Sequence, residues 1–150
     1  PLLLTLDCQL TCLDTRKEWL DKLPKTPKLK KLCVENLPEY VEDTPEKAFV
    51  LIMTKGHRSD FNVAKQFLTR FELPFLGVIG SRSKAATLKK ELKKEGLSKE
   101  QTERLVCPIG FSFGGNHPQE IALSITAQLL YERDKLFGKT HLRNPVPEKL

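Results

Sequence analysis

The stretch AFVLIMTKGH, residues 48–57, decides the fold class. Its first six residues are all apolar, without alternation, which is typical of a strand covered on both faces in a parallel sheet. The run ends abruptly at TKGH, residues 54–57. A second apolar run, FLGVI at residues 75–79, ends in GSR at residues 80–82. We therefore predict two buried parallel strands, each followed by a polar turn.

Amphipathic helices are predicted after both strands. Residues 60–71 carry apolar side chains at spacings of three and four, and Ser59 or Asp60 is available to cap the first turn. Residues 83–95 form a second helix with its lysines on the exposed face. The other predicted elements are strands at residues 10–13, 29–34 and 106–109 and helices at residues 16–23, 98–105 and 118–136. Alternating strands and helices indicate an α/β fold in three layers, a parallel sheet with helices on both faces.

Composition narrows the class of protein. The 150 residues fit one domain, and no apolar run is long enough for a membrane-spanning helix. The net charge is +6, with lysines clustered at residues 25–31 and 84–94, which indicates either solvated surfaces or a docking face for an anionic partner. No aromatic residues interleave with these lysines, so we expect no nucleic-acid binding. The four cysteines show no zinc pattern, and we expect a reducing, cytoplasmic location.

The predicted binding site is the row of strand ends, because open parallel sheets bind ligands beyond their carboxyl ends. Asp14 ends the first strand, where an acid can accept hydrogen bonds from ribose hydroxyls or cap the next helix. His57 is a candidate ligand contact or acid-base group, or a turn residue without a chemical role. The turns at residues 80–82 and 110–115 precede helix starts, which attract anions, although both also suit plain connectors. The candidate cofactor-binding residues are Asp14, Arg16, Thr54, Gly56, His57, Gly80, Ser81, Arg82, Gly110 and Gly114.

Three motifs in order resemble the C-terminal domain of the XdhC/CoxI family. They are VLIMTKGHRSD at residues 50–60, FLGVIGSRSKA at residues 75–85 and CPIGFSFGGNHPQEIALSITAQL at residues 107–129. The family patterns are approximately MTHGHxxD, YxGxIGSRRK and PIGLxIGxxTPEEIAxSIxAE, and residues 10–16 extend the likeness to the family's VVDDR. The resemblance implies a Rossmann-like domain at residues 1–137, followed by a tail at residues 138–150.

The same resemblance implies an accessory protein for molybdenum hydroxylases such as xanthine dehydrogenase. It implies binding of the molybdenum cofactor (molybdopterin), assistance with its sulfuration and help with its insertion into the apoenzyme. A cysteine desulfurase and a second copy of the chain are further candidate partners. The sequence shows no nucleophile with its base, metal cluster or paired carboxylates, which favours an accessory protein over an enzyme.

Three departures from the family pattern affect these expectations. Lys55 stands where the family often has histidine, and His117 replaces the threonine that would cap the last helix. The family's GAGHxxxxL segment, which supplies the first strand and a glycine turn, is missing, and residues 1–7 resemble the tail of the helix that would follow it. Strands 10–13 and 48–53 should then each present an open edge. We expect a fragment of a longer protein, or a gap filled by a neighbouring chain or a rearranged N-terminus.

Two alternative functions remain from the sequence. One is an NAD(P)-dependent oxidoreductase of Rossmann type, which rests on fold analogy and Asp14, although the glycine fingerprint of such enzymes is absent. The other is a basic module that docks a partner protein through residues 84–94. The resemblance assigns no role to the four cysteines.

Overall fold

The computed structural model of the chain describes residues 2–138, so the predicted tail lies outside the described residues apart from Gly138. The strands are β1 Leu10–Asp14, β2 Leu29–Cys33, β3 Phe49–Ile52, β4 Phe75–Val78 and β5 Leu105–Val106. The helices are α1 Lys17–Asp21, α2 His57–Arg70, α3 Arg82–Lys94, α4 Lys99–Glu103 and α5 Pro118–Phe137, with short 3₁₀ turns at Leu2–Thr5 and Leu37–Tyr40. This order of elements confirms the sequence prediction.

The start of α2 differs from the prediction. The helix begins at His57, three residues earlier than expected, and neither Ser59 nor Asp60 caps it. The cap position is Gly56, whose carbonyl accepts the first intrahelical hydrogen bond, from the Asp60 amide. His57 is therefore a helix residue and not a loop residue, because the tight glycine turn lets the helix begin directly after β3.

The strands form two separate parallel sheets. β1 pairs with β2, and β3, β4 and β5 pair in that order. Among residues 2–138, no strand pairs with the free edge of β1 or of β3, which confirms the two open edges expected from the sequence. β3 is covered on both faces as expected, because Val50 and Ile52 pack into one core layer and Phe49 and Leu51 into the other. The cover is partial, since only Ile52 of this strand is buried, whereas all four residues of β4 are. β4 lies between two strands, and β3 lies at an edge.

The core has one layer on each face of the three-stranded sheet. Alternate residues of β4 point to opposite faces. Leu76 and Val78 pack against the helices α2 and α3, and Phe75 packs with Ile109 and with Ile125 of α5. A Cβ atom at Gly77 would overlap the Ile109 side chain, so glycine allows this close packing.

The apolar face of α5 is irregular. Ile125 is buried, but Ala122, three residues before it, is exposed. Ser124 and Thr126 are buried instead, and their hydroxyls donate to carbonyls one turn back in the helix, so burial leaves neither hydroxyl without a partner. None of the helices in residues 2–138 has the length and apolarity needed to cross a membrane.

Candidate functional site

The carboxyl ends of β3, β4 and β5 lie at one edge of the sheet. Backbone pairing continues just past the strands, because the Ile79 amide donates to the Ile52 carbonyl at 3.1 Å and the Ile109 amide donates to the Val78 carbonyl at 3.2 Å. The segments that begin at Thr54, at Gly80 and at Gly110 therefore leave the sheet side by side. This geometry brings together three of the four predicted segments.

Two helix starts rise from this edge with backbone N–H groups that lack intrahelical partners. At α2, the preceding residue is Gly56, which has no side chain to cap the first turn. At α3, the Ser81 hydroxyl accepts one hydrogen bond, from the Lys84 amide at 3.2 Å, which leaves the amides of Arg82 and Ser83 available. Helix starts of this kind carry partial positive charge and bind anions.

Lys55 and Arg82 add positive charge to the same edge. Both side chains are exposed, and neither forms an ion pair with another residue in the described range 2–138. The fourth predicted segment, at Asp14, ends β1 of the other sheet, which does not pair with β3.

A buried ion pair connects the turns after β3 and β4. The Asp60 carboxylate accepts hydrogen bonds from the amide and hydroxyl of Thr54 at 2.9 and 2.7 Å, and it pairs with the Lys84 ammonium group. Sequence reasoning missed both members of the pair and placed Lys84 on the exposed basic face of α3. The available signal was their spacing, because Asp60 lies four residues before Ala64 and Lys84 four residues before Leu88, on the apolar faces of their helices.

His57 contacts α3. Its Nε2 atom lies 2.7 Å from a carboxylate oxygen of Glu91, and both side chains are about two-fifths exposed. A groove of about 200 Å³ beside this pair is lined by His57, Arg58, Phe61, Glu91, Lys94 and Glu95. The imidazole is thus engaged by a carboxylate that sequence reasoning did not single out.

A second groove of about 250 Å³ lies around the carboxyl end of α2, next to the start of β4, and is lined by residues 68–72, Glu100, Gln101 and Arg104. It is at the opposite end of the strand from the predicted site. Both grooves are smaller than the 300–1,000 Å³ of a typical small-molecule pocket. The described residues therefore present the site as an open edge and not as an enclosed cavity.

Asp14 is engaged by a neighbour two residues away. Its carboxylate accepts hydrogen bonds from the Arg16 backbone amide, Nε and Nη2 at 2.9, 2.9 and 3.0 Å. The hydrogen bonds from the Arg16 side chain hold the pKa of the Asp14 carboxyl below its ordinary value. The guanidinium also lies 5.1 Å from the ring centroid of Trp19, which is half exposed. Asp14 thus closes a turn with Arg16 and does not cap α1 directly.

The glycine-rich loop before α5 folds back onto that helix. The Gly110 amide donates to Gln128 at 2.7 Å, and the Gly115 amide donates to Glu120 at 2.6 Å. Gly114 adopts a positive φ of 72°, where glycine is favoured. Two N–H groups of this loop are therefore already used, and the Glu120 carboxylate lies where a bound anion would be repelled. The start of α3 is the better anion site.

No group of three or more His, Cys, Asp or Glu side chains among residues 2–138 is arranged to hold a metal ion. The fold and site together define a Rossmann-like domain, with a parallel sheet between two helix layers and glycine turns that lead into helices at the carboxyl edge. The sequence model of the XdhC Rossmann domain matches residues 1–129. The chain belongs to this family, which confirms the resemblance seen in the sequence.

Two known proteins are similar to the chain. The uncharacterized protein YqeB of Escherichia coli (strain K12) is 30% identical over 99 residues, which are 66% of this chain and 18% of YqeB. The crystal structure of a xanthine dehydrogenase from Bacillus halodurans superposes with a TM-score of 0.63 at 24% identity, over 90% of this chain and 37% of that chain. The chain thus spans less than a fifth of YqeB and less than two-fifths of the solved chain, and the structural likeness shows the fold.

Proposed function

We propose that this domain binds the molybdenum cofactor by its phosphate-bearing end and assists its insertion into a molybdenum hydroxylase such as xanthine dehydrogenase. The observation that carries the proposal is the pair of neighbouring helix starts after β3 and β4, with Lys55 and Arg82 free of ion pairs to other described residues. Membership of the XdhC Rossmann domain family and the fold shared with the Bacillus halodurans protein support it.

The residues at the edge suit the anionic end of such a ligand. Backbone amides at the starts of α2 and α3 would donate to phosphate oxygens, and the Arg82 guanidinium can bind a phosphate through two parallel hydrogen bonds. Lys55 would contribute a point charge. The described residues would therefore bind the cofactor through its phosphate. The metal chemistry of the hydroxylase would come from the cofactor itself.

Two of the domain's four cysteines, Cys12 and Cys107, are poorly suited to donate sulfur to the cofactor. A cysteine that carries sulfur reacts as the thiolate. Burial raises the pKa of the Cys107 thiol, and burial together with the charge of Asp14 raises that of Cys12. A raised pKa keeps more of these two thiols protonated, which disfavours both as sulfur carriers, and we propose that a partner such as a cysteine desulfurase donates the sulfur.

The alternative ligand, NAD(P), depends on Asp14 as the acceptor for ribose hydroxyls. A carboxylate offers about four acceptor positions, and Arg16 occupies three of them. Nicotinamide binding would require this turn to open. The alternative therefore ranks below the molybdenum cofactor.

Anaerobic titration tests the proposal. The purified protein is titrated with molybdenum cofactor released from a hydroxylase, with NADH and NADPH as comparison ligands. We expect the cofactor alone to bind, and Arg82→Gln to weaken its binding about tenfold or more, the loss typical of one charge-assisted hydrogen bond.

Lys93→Gln is the matched control, because it removes one exposed positive charge from the last turn of the same helix. It should change the affinity much less than Arg82→Gln does. No cofactor binding, or equal losses in the two variants, would contradict the proposed site. Tight binding of NADH or NADPH would favour the alternative.

A further inference from the structure

The ion pair between Asp60 and Lys84 spans two turns of the candidate site. One Asp60 oxygen accepts both hydrogen bonds from Thr54, after β3, and the other pairs with Lys84. The Lys84 ammonium group also donates to the carbonyl of Ile79, after β4, at 2.8 Å. One continuous chain of polar contacts therefore runs from the end of one strand to the end of the next.

The placement of this pair indicates a role besides stability. Asp60 is fully buried, and the Lys84 side chain is about one-fifth exposed. A buried ion pair is weak evidence for a gain in stability, since apolar residues of the same volume often serve as well, but directional hydrogen bonds fix geometry. The hydrogen bonds of Asp60 and Lys84 fix the position of the start of α2 relative to the start of α3.

Gly80 makes room for the lysine. A Cβ atom at Gly80 would lie 2.6 Å from Cδ of Lys84 and 3.3 Å from its Cβ and Cγ. Gly80 is not among the glycines with positive φ, so its backbone conformation does not require glycine. The space it leaves is used by the lysine stem, which crosses the turn to reach Asp60.

We propose that Asp60 and Lys84 are positioning residues that hold the starts of α2 and α3 at a fixed separation, so that the amides of both helices bind one anionic group. The proposal rests on the proposed function. The pair is neutral overall and consumes the Thr54 donors, so it acts on the ligand through the two helix starts and not by direct contact.

Two variants break the link in different ways. Gly80→Ala displaces the lysine stem and leaves both charges in the protein. Asp60→Asn with Lys84→Met removes both charges, keeps an oxygen acceptor for Thr54 and avoids an unpaired buried ion. We expect each variant to fold and to bind the molybdenum cofactor about tenfold more weakly than the unchanged protein.

The dependence of affinity on salt separates positioning from direct charge contact. Arg82→Gln should flatten this dependence, because it removes a ligand-facing charge that salt screens. The double variant should weaken binding with an unchanged slope, because it removes no net charge. Full affinity in the double variant, or a slope that flattens as in Arg82→Gln, would overturn the proposal.

Amide hydrogen exchange tests the link without any ligand. In Gly80→Ala, the Thr54 amide should exchange about tenfold faster, although the substitution lies after the other strand. Lys93→Gln is the control for this readout, because it changes an exposed side chain in the last turn of α3 and leaves both strand-end turns intact. Unchanged protection of Thr54 in Gly80→Ala overturns the positioning role. If the unchanged protein binds no cofactor while Thr54 responds as expected, the proposed function fails and the mechanical link between the turns stands.

Discussion

Lys84→Met tests the energetic consequence of the buried pair. The substitution removes the ammonium group and fills the volume of the lysine stem, so Asp60 keeps two hydrogen bonds from Thr54 but loses its countercharge. Removing one partner of a buried ion pair costs about 3–5 kcal/mol. Because the Lys84 side chain is about one-fifth exposed and water can reach its end of the pair, we expect the lower end, about 3 kcal/mol. A domain is typically stable by about 5–15 kcal/mol, so the variant should fold but be markedly weakened.

Equilibrium unfolding in urea at pH 7 measures this loss. With a typical slope of about 2 kcal/mol per molar urea, the midpoint should fall by about 1.5 M while the slope stays the same. Adding Asp60→Asn removes the unpaired charge and should restore most of the lost free energy of unfolding. A loss below about 1 kcal/mol in Lys84→Met, or a double variant less stable than Lys84→Met alone, would refute this reasoning.

Three further predictions concern other parts of the fold. Arg16→Gln removes the side-chain hydrogen bonds that contribute most to lowering the pKa of Asp14 and keeps the one from the backbone amide. The stability that the side-chain bonds provide is present above the carboxyl's unfolded pKa and is lost as pH falls through its folded value. Acid unfolding curves of the two proteins should therefore differ above about pH 4 and converge below it, and parallel curves would contradict this. Gly77→Ala should cost about 1–3 kcal/mol or more in urea unfolding, because the added methyl group overlaps the Ile109 side chain. An unchanged midpoint would contradict this and would mean that Ile109 can move away. Ser98→Ala removes one half of the capping box of α4 and should cost about 1 kcal/mol, whereas Ser98→Thr should cost less, and equal losses would argue against the cap.

The order of elements could be predicted because local signals agree with the tertiary structure. The apolar runs at residues 48–53 and 75–79 both form parallel strands, and the helix predicted at residues 98–105 is present as α4. The extent to which β3 is buried could not be predicted from its own sequence, because it depends on whether another strand pairs with its free edge. Its free edge leaves residues 49–51 partly exposed despite their apolar side chains.

The candidate site was predicted in outline and missed in its internal contacts. A predicted strand also predicts the position of the turn that follows it, so the turns at Thr54 and Gly80 could be located from the sequence. Lys84 could not be placed, because a lysine in a lysine-rich helix is ordinarily solvated and its partner Asp60 lies 24 residues away. The same limit applies to His57 and Glu91, which are brought together only by the packing of α2 against α3.

The most direct test of the central claim is to map backbone amide chemical shifts of the protein during titration with molybdenum cofactor under anaerobic conditions. We expect the largest shifts at the two helix starts, at His57 and Arg58 of α2 and at Arg82 and Ser83 of α3. Shifts confined to the start of α5 or to the groove at the carboxyl end of α2, or no shifts at saturating cofactor, would contradict it.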